Sequence, residues 1–328
     1  MKLPDSVERV IEQEVNKYNI STLKEYSKNL SDKYMTEKRT GKTLLSLEEE
    51  AIAYSVIRMP ATYGAVTNSL KNTLENIDVE INSLLDIGAG TGAGSIAVSE
   101  MLDLKEIICV EREEAMRKLG QKIMSQGTSV QKNAKWINLD ILKDEINEKA
   151  DLVIVSYMIN ELKEDDRIRV LHKLIDCTNK ILLIIEPGTP EGFSNIKQIR
   201  NEAINKGLEI LAPCSSQGKC DLKEGDWCSS SVRVQRTKTH KILKNADVPY
   251  EDEKFSYISM SKIGGEKAYS RILRHPIVQG KMIKLKLCTN SGIEEVTVTK
   301  KYSELYKEVK KKKVGDSIDN KIDILLER

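Results

Sequence analysis

The pattern of apolar and polar positions divides the chain into a helical beginning and an alternating middle. Over residues 1–78, apolar residues recur at intervals of three and four, as on one face of an amphipathic helix. Beyond residue 79, short apolar runs alternate with amphipathic stretches, which predicts an α/β fold with a parallel sheet and helices on both faces. The predicted strands are residues 83–86, 106–110, 134–137, 152–155 and 181–185.

The same pattern continues after a cysteine-rich stretch. Residues 255–260 and 281–287 are predicted as the sixth and seventh strands. Four segments follow from this interpretation. They are a helical region (1–78), a Rossmann-like core (79–206), a Cys-rich metal-binding insertion with a basic helix over 231–244 (207–252), and closing strands with a basic tail (253–328).

A glycine-rich turn follows the first predicted strand. The run from Leu84 reads L-L-D-I-G-A-G-T-G-A-G, and its glycines allow the backbone to approach a ligand closely. Dinucleotide-binding folds use G-x-G-x-x-G. The G-x-G-x-G-x-G spacing behind an acid instead resembles motif I of class I S-adenosylmethionine methyltransferases. That resemblance implies S-adenosylmethionine as the cofactor and a seven-stranded sheet whose last two strands are antiparallel.

Two acidic residues extend this motif. Glu111 ends the second predicted strand about 20 residues past the loop, where a carboxylate accepts hydrogen bonds from ribose hydroxyls. Asp140 follows the third strand and suits the adenine amino group. A purely structural turn with surface acids is the alternative. The predicted cofactor-binding residues are Asp86, Gly88, Ala89, Gly90, Thr91, Gly92, Glu111, Arg112, Asp140, Ile141 and Ser156.

The end of the fourth predicted strand carries no familiar catalytic turn. Methyltransferases acting on exocyclic amines usually have Asn-Pro-Pro-aromatic there, whereas this chain has S-Y-M-I-N-E-L from Ser156. Amine methylation therefore loses support, and no catalytic residue is assigned.

Composition and charge limit the cellular location and the partners that we expect for the protein. Of the 328 residues, 40% are hydrophobic and 31% charged, and the longest apolar runs are far shorter than a membrane helix. The N-terminal residues show no apolar signal core, so we expect a cytoplasmic protein. We also expect a monomer that does not bind membranes. The net charge of +2 conceals two basic clusters, at 233–244 and 307–313, which are either solvated surfaces or RNA contacts. The predicted RNA-binding residues are Arg233, Arg236, Lys238, Lys241 and Lys244.

Three of the six cysteines fall within fifteen residues. In a reducing compartment, such density favours a metal site over disulfides. The spacing C-x₅-C-x₇-C fits poorly with the C-x₂₋₄-C pairs of zinc sites, and thiolates at irregular spacing also suit an iron–sulfur cluster, so spacing alone leaves the metal open. The predicted ligands are Cys214, Cys220, Cys228 and Cys288.

Ala-Pro-Cys at Cys214 allows a different interpretation. It resembles the Pro-Cys nucleophile motif of RNA cytosine-5 methyltransferases. In those enzymes the motif follows the fourth strand, whereas here it follows the fifth and is accompanied by two further cysteines, which disfavours this interpretation.

The segment P-C-S-S-Q-G-K-C-D-L-K-E-G-D-W-C from Pro213, together with the upstream R-M-P-A-T-Y-G-A-V and the downstream L-K-L-C-T-N-S-G, resembles a known family. It is similar to methyltransferase-like assembly factors of the mitochondrial small ribosomal subunit and their bacterial and archaeal relatives, from about Tyr54 onward. The resemblance implies an S-adenosylmethionine-type fold that engages small-subunit rRNA, with a [4Fe-4S] cluster on the four cysteines.

Two other functions remain open at this point. A non-catalytic assembly factor would use the cofactor only as a structural ligand. A small-molecule methyltransferase would use the cysteines for a zinc-stabilised lid.

Overall fold

The computed structural model describes residues 1–36, 45–319, 322 and 325. The other parts of the predicted helical region and of the predicted basic tail lie outside the described residues. The helices are α1 (Asp5–Val15), α2 (Ile20–Thr36), α3 (Glu48–Leu74), α4 (Ala93–Ser99), α5 (Glu114–Met124), α6 (Ser129–Lys132), α7 (Glu164–Cys177), α8 (Pro190–Asn205), α9 (Lys238–Lys244) and α10 (Ser303–Val309).

The strands form two sheets. They are β1 (Ser83–Ile87), β2 (Glu106–Val110), β3 (Lys135–Ile137), β4 (Ala150–Ser156), β5 (Thr178–Pro187), β6 (Glu209–Ala212), β7 (Ser230–Gln235), β8 (Tyr250–Ser261), β9 (Ser270–Ile272), β10 (Ile277–Gln279), β11 (Met282–Thr289), β12 (Gly292–Thr299) and β13 (Ser317–Ile318). The larger sheet has the order β3-β2-β1-β4-β5-β8-β6, and β7 pairs with β8.

The first five strands confirm the predicted parallel sheet. β1 pairs in parallel with β2 and β4, β2 with β3, and β4 with β5. The central residues of β1, β2, β4 and β5 are almost fully buried, as expected for strands covered on both faces. β3, at the edge of the sheet, has no buried residue. The fold is therefore a mixed α/β, Rossmann-like sheet in which parallel strands predominate.

The identity of the last strands differs from the prediction. The sixth strand is β6, a run of only four residues, and it pairs antiparallel with β8, which contains residues 255–260. Residues 281–287 lie in β11 of the smaller sheet instead. Because alternation with period two predicts a strand but not its partner, the sequence pattern could not place β11.

The smaller sheet has the order β10-β11-β9-β13, and β12 pairs with β11. Ile283, Leu285 and Leu287 of β11 point into an apolar core that also contains Leu305 and Val309 of α10. The alternate residues of β11 face the opposite way. One face of this sheet is therefore buried, and the other is exposed at Met282 and Lys284 but covered at Cys288, which lines a cavity.

The predicted basic helix over 231–244 is partly wrong. Residues 230–235 form β7, and only Lys238–Lys244 is helical. Val232 and Val234 are buried whereas Arg233 and Gln235 are exposed, which is the period-two alternation of a strand.

The chain divides into two compact units. Unit 1 comprises Met1–Leu70, Glu80–Ile185 and Val232–Glu253, and unit 2 comprises Lys71–Val79, Glu186–Ser231 and Lys254–Arg328. The four-segment division made from the sequence stays a prediction. Within the described ranges, no helix combines the length and apolar character needed to cross a membrane.

Candidate functional site

The glycine loop of unit 1 connects β1 to α4. Gly88, Gly90 and Gly92 have φ of 71°, 57° and 83°, a region that side-chain-bearing residues avoid. A Cβ on Gly92 would also lie 2.8 Å from Sδ of Met124. The loop conformation therefore requires glycine. The amides of Gly88 and Ala89 donate to the carbonyl of Val110, and that of Gly92 donates to the carbonyl of Ala89.

Asp86, at the end of β1, bonds to the helix that follows this loop. Its Oδ2 accepts hydrogen bonds from the backbone amide and the hydroxyl of Ser95, at 2.9 and 2.8 Å. Burial raises the pKa of Asp86 to about 7, although the bonds from Ser95 act to lower it. The contacts in the structure are those of a group that holds α4 against β1, and direct cofactor contact by Asp86 stays a prediction.

Glu111, at the end of β2, lies against the loop. Its Oε2 accepts a hydrogen bond of 2.8 Å from the amide of Gly90, and its Oε1 accepts one of 2.7 Å from the amide of Glu113. Burial raises the pKa of Glu111, and these two bonds partly offset that effect. A carboxylate has about four acceptor positions, so two remain for ligand hydroxyls.

Arg112 links Glu111 to the next predicted residue. One of its nitrogens, Nη1, lies 3.7 Å from Oδ2 of Asp140. Partial burial acts to raise the pKa of Asp140, but the amide of Leu142, 3.1 Å from Oδ1, and nearby cations hold it below its ordinary value. Ile141 is buried beside it. The acids after β2 and β3, Glu111 and Asp140, therefore both act on the guanidinium of Arg112.

Two hydroxyl groups among the predicted cofactor-binding residues have unused hydrogen-bonding capacity. Oγ1 of Thr91 and Oγ of Ser156 are buried and have no hydrogen-bond partner among the described residues. Buried polar groups are normally paired. Both hydroxyls can therefore still donate to or accept from a polar ligand.

A group of residues missed by the sequence analysis supports the turn after β4. Tyr157 has φ of 62°, unusual for a residue with a side chain, and its hydroxyl donates a 2.8 Å hydrogen bond to Oε1 of Glu253. Arg58 of α3 donates to both oxygens of Glu253, at 3.1 and 3.3 Å, and its guanidinium lies 5.3 Å from the centre of the Tyr157 ring. The local signals were R-M-P-A-T-Y and the missing Pro-Pro, but neither could indicate Glu253, which is 195 positions from Arg58.

For Glu161, the sequence left two interpretations open, contact with cofactor or substrate and, more strongly favoured, a role at the start of a helix. Glu161 ends a short 3₁₀ turn (Ile159–Glu161), and its carboxylate makes no hydrogen bond within the described part of the chain. Burial raises the pKa of Glu161 to about 7, and the charge of Glu111 contributes to the rise. Tyr54 of α3 lies in the same electrostatic environment, and burial raises its pKa to about 12.

The predicted metal ligands all lie in unit 2, around one cavity of about 60 Å³. One water requires roughly 10–15 Å³ on this measure, so the space exceeds that of a single water. The four sulfur-bearing residues that line it are Cys214, Cys220, Cys228 and Cys288. Cys109 and Cys177 are buried elsewhere, in β2 and at the end of α7.

Hydrogen bonds hold the walls of this cysteine cavity. Ser215 donates to the carbonyl of Cys288 at 3.1 Å, and Ser256 donates to that of Cys228 at 2.7 Å. The indole of Trp227 donates to the carbonyl of Gly188 at 3.2 Å. Asp226 pairs with Lys286 at 2.8 Å and also with Arg274. These bonds bring the remote Cys288 to the other three cysteines.

The cysteine thiols lie close enough to influence one another. Burial raises the pKa of Cys228 well above its ordinary value, and Cys214, Cys288 and Cys220 raise it further. Burial likewise raises the pKa of Cys288 to about 11. Without a bound cation the cavity therefore holds thiols, and a metal must displace their protons.

The four cysteines do not form a preassembled metal site. Among the described residues, no group of three or more His, Cys, Asp or Glu is arranged to hold a metal ion. Zinc and an iron–sulfur cluster are both bound by cysteine thiolates, so the metal at these residues stays a prediction.

Two buried arginines also line the cysteine cavity. Arg271 is 1% exposed and donates to the carbonyls of Pro213 and Gly315 and to Oδ1 of Asn72, at 3.2, 3.0 and 3.2 Å. Its Nη2, and Nε of Arg200, are buried without a partner among the described residues. Such unsatisfied cationic N–H groups favour an anionic occupant.

The predicted RNA-binding residues are largely neutralised in unit 1. Arg233 donates to both oxygens of Asp252, at 2.7 and 2.8 Å. Arg236 and Lys244 share Glu251, at 2.8 and 2.9 Å. In the described ranges, Lys238 and Lys241 form no ion pair, so two of the five predicted cations remain available; the RNA role of this set stays a prediction.

Comparison with curated proteins gives relatives of moderate similarity. The human mitochondrial ribosome assembly protein METTL17 is 24% identical over 262 residues, which are 74% of this chain and 56% of that protein. The Rsm22-cox11 tandem protein 2 of Schizosaccharomyces pombe, also mitochondrial, is 26% identical over 200 residues, 54% of this chain and 26% of that protein. The chain thus spans about half of the first relative and a quarter of the second.

The names of these relatives correct one expectation. The prediction of a cytoplasmic location rested on the N-terminal residues and on composition, and it is wrong by this comparison: the relatives are mitochondrial proteins and point to mitochondria. Composition reports how a chain interacts with water and lipid, and it does not specify a compartment.

Among solved structures, the N-methyltransferase NodS of Bradyrhizobium japonicum, bound to S-adenosylhomocysteine, matches 72% of this chain and 97% of its own. The identity is 10% and the TM-score 0.42. A match at that level supports no inference about substrate or activity.

The family comparison is the most extensive. The profile described as mitochondrial small ribosomal subunit Rsm22 matches residues 48–319, which include the glycine loop, the turn after β4 and all four cysteines of the cavity. This confirms the resemblance to small-subunit assembly factors predicted from the cysteine segment. The chain belongs to the Rsm22 family.

Proposed function

We propose that this protein binds S-adenosylmethionine in unit 1, carries an iron–sulfur cluster in unit 2, and acts on rRNA during assembly of the small ribosomal subunit. The assembly role rests on the family and on its human relative, which is named a ribosome assembly protein. Since the chain covers only part of those relatives, their partners are proposed here for this chain.

The observation that carries cofactor binding is the arrangement of Glu111 beside the glycine loop. The carboxylate is 9% exposed, two of its acceptor positions are used by backbone amides, and the others are free for the ribose hydroxyls. Thr91 and Ser156 offer unsatisfied hydroxyls in the same unit. Asp140, beside Arg112, is assigned to the adenine end as predicted.

The four cavity cysteines are proposed as ligands of a [4Fe-4S] cluster. Their convergence and the two buried arginines support an anionic group at this position. When bound, the cluster would supply iron–thiolate bonds that cross-link the loop after β6 to the end of β11. This chain's own contribution is to hold the four sulfurs in place through Ser215, Ser256 and Trp227.

Methyl transfer is a second candidate activity, favoured by Glu161. Moving the methyl group from the sulfonium to a nitrogen or oxygen of RNA leaves S-adenosylhomocysteine and releases one proton. A carboxylate with a pKa of about 7 can accept that proton near neutral pH. The alternative assembly factor would bind the cofactor without turnover.

One pair of measurements tests the proposal. Calorimetry should show S-adenosylmethionine binding to the purified protein, and its absence would refute the cofactor assignment. A labelled-methyl assay on immature small subunits then separates the two versions: transfer above background establishes the enzyme, and binding without transfer establishes the structural use.

A further inference from the structure

The segment that contains the smaller sheet and α10 carries a high concentration of positive charge. Residues 270–313 contain twelve Lys and Arg against four Glu, whereas the whole chain has a net charge of only +2. Several of these cations are committed to unit 2 itself, because Arg271 is buried and Lys286 pairs with Asp226. Most of the remaining lysines are exposed.

Four of the exposed lysines belong to one end of this sheet. Lys284 lies on the outward face of β11, and Lys281 lies in the tight turn that precedes this strand. Lys300 follows β12, and its amide donates to the carbonyl of Lys281 at 3.2 Å. Lys301 is next in the chain. Within the part of the chain that the structure describes, none of the four forms an ion pair with a carboxylate.

Apolar and hydrogen-bonding side chains lie next to Lys284 on the neighbouring strands. In the sheet register, Lys284 is flanked by Ile277 of β10 and Thr297 of β12, and Met282 is flanked by Gln279 and Thr299. Directly paired residues of an antiparallel sheet share a face. Ile277 and Met282 are 55% and 41% exposed, which is high for large apolar side chains.

We propose that this end of the smaller sheet binds single-stranded RNA. Lys284, Ile277 and Met282 lie on its outward face, whereas Lys281, Lys300 and Lys301 lie just beyond the strand ends, and we name these six residues the lysine face. Unpaired lysines supply contacts to phosphates, and the apolar side chains supply surface for unstacked bases. The amide of Gln279 and the hydroxyls of Thr297 and Thr299 can bond to base edges. On this face, among the described residues, the acid Glu295 is paired across the sheet with Lys286.

A membrane surface fits these observations less well. The apolar residues are two isolated side chains among amide and hydroxyl groups, rather than the continuous apolar face that inserts into lipid. The inference rests on the proposed action on rRNA and gives that function a binding surface. We expect the lysine face to make most of the phosphate contacts, in place of the neutralised Arg233, Arg236 and Lys244.

The experiment compares full-length variants by fluorescence anisotropy. The probe is a labelled single-stranded fragment of small-subunit rRNA of about 20 nucleotides, long enough to cross one sheet face. The test variant carries Lys281→Gln, Lys284→Gln, Lys300→Gln and Lys301→Gln. Its matched control replaces four exposed lysines of unit 1, Lys105, Lys118, Lys132 and Lys149, by Gln, with the same change in net charge.

We expect the test variant to bind the RNA at least about tenfold more weakly, and the slope of log K against log salt to fall by about three. The control should bind like the wild type. Changing the same four lysines to Arg should restore binding, because charge rather than shape is removed. Circular dichroism verifies that each variant is folded.

Different failures point to different parts of the scheme. If the wild type binds RNA and the test variant binds equally well, the lysine face is not the site, although the proposed function stands. If the wild type binds no RNA, the proposed action on rRNA fails first. If the test variant loses binding only to vesicles of anionic lipid and keeps its RNA affinity, the surface is a membrane site and the inference is wrong.

Discussion

The carboxylate of Glu111 accepts a 2.8 Å hydrogen bond from the amide of Gly90, so the acid and the glycine loop form one rigid unit before any ligand arrives. This contact explains why the two motifs need a fixed spacing of about 20 residues. The loop has one conformation when the carboxylate is in place, and the carboxylate has one orientation when the loop is formed.

Replacing Glu111 by Gln should weaken S-adenosylmethionine binding. The amide group keeps one acceptor for Gly90, but it presents a donor to the amide of Glu113 and loses the charge. Hydrogen bonds to charged groups contribute about 1.5–3 kcal/mol, so we expect the Kd to rise by roughly 10- to 100-fold, measured by calorimetry. Glu114→Gln, in the exposed first turn of α5, is the control and should leave the Kd unchanged. An equal Kd for both variants would contradict the ribose assignment.

Asp86 should make thermal stability depend on pH. Its folded pKa of about 7 lies above the ordinary 3.8, so the folded protein binds the proton more tightly and loses stability as pH rises through that window. We therefore expect the Tm to fall between about pH 4 and 7, and to fall less in Asp86→Asn. The comparison of slopes isolates this residue from Glu161, which has a similar pKa. The exposed Asp103→Asn should follow the wild type, and identical slopes in all three would refute the assignment.

Tyr157→Phe should destabilise unit 1. The change removes the 2.8 Å bond to Glu253 but keeps the ring beneath the Arg58 guanidinium. A bond to a charged acceptor contributes about 1.5–3 kcal/mol, and we expect the free energy of unfolding to fall by about that amount in denaturant titrations. Tyr250→Phe, which also keeps a ring beside an arginine, is the control. A loss no larger than that of the control would show that Glu253 does not hold the turn.

Purification without oxygen should give a brown protein with about four iron and four sulfide per chain. Cys228→Ser should lose most of both, because its sulfur is one of the four lining the cavity. Cys177→Ser is the control, since that thiol is buried away from the cavity and donates to the carbonyl of Leu174. A colourless protein with full zinc occupancy would refute the cluster.

The parts of the fold that the sequence predicted are those set by local pattern. The strands around Leu85, Ile108 and Leu183 are continuous apolar runs, and the glycine loop directly follows the first of them. The four cavity cysteines were predicted from their density and from a family resemblance. The predicted sheet did not contribute, because residues 281–287 were assigned to the larger sheet and lie in the smaller one. The short β6 carried too few residues for its period to be recognised.

The contacts that the sequence did not predict are long in sequence. Arg58 meets Glu253 across 195 positions, and no periodicity relates the two. Tyr157 also bonds to Glu253, and nothing in S-Y-M-I-N-E-L predicts its left-handed conformation. Likewise, the basic cluster at 233–244 looked available for RNA because its partners, Glu251 and Asp252, lie on a neighbouring strand.

Arg271 connects three parts of unit 2 that are far apart in the sequence. The acceptors of its buried guanidinium are at Asn72, Pro213 and Gly315. A buried guanidinium that lacks its acceptors is costly, so Arg271 stabilises unit 2 only when all three segments are in place. Since Arg271 also lines the cysteine cavity, the wall of that cavity depends on segments from early and late in the sequence.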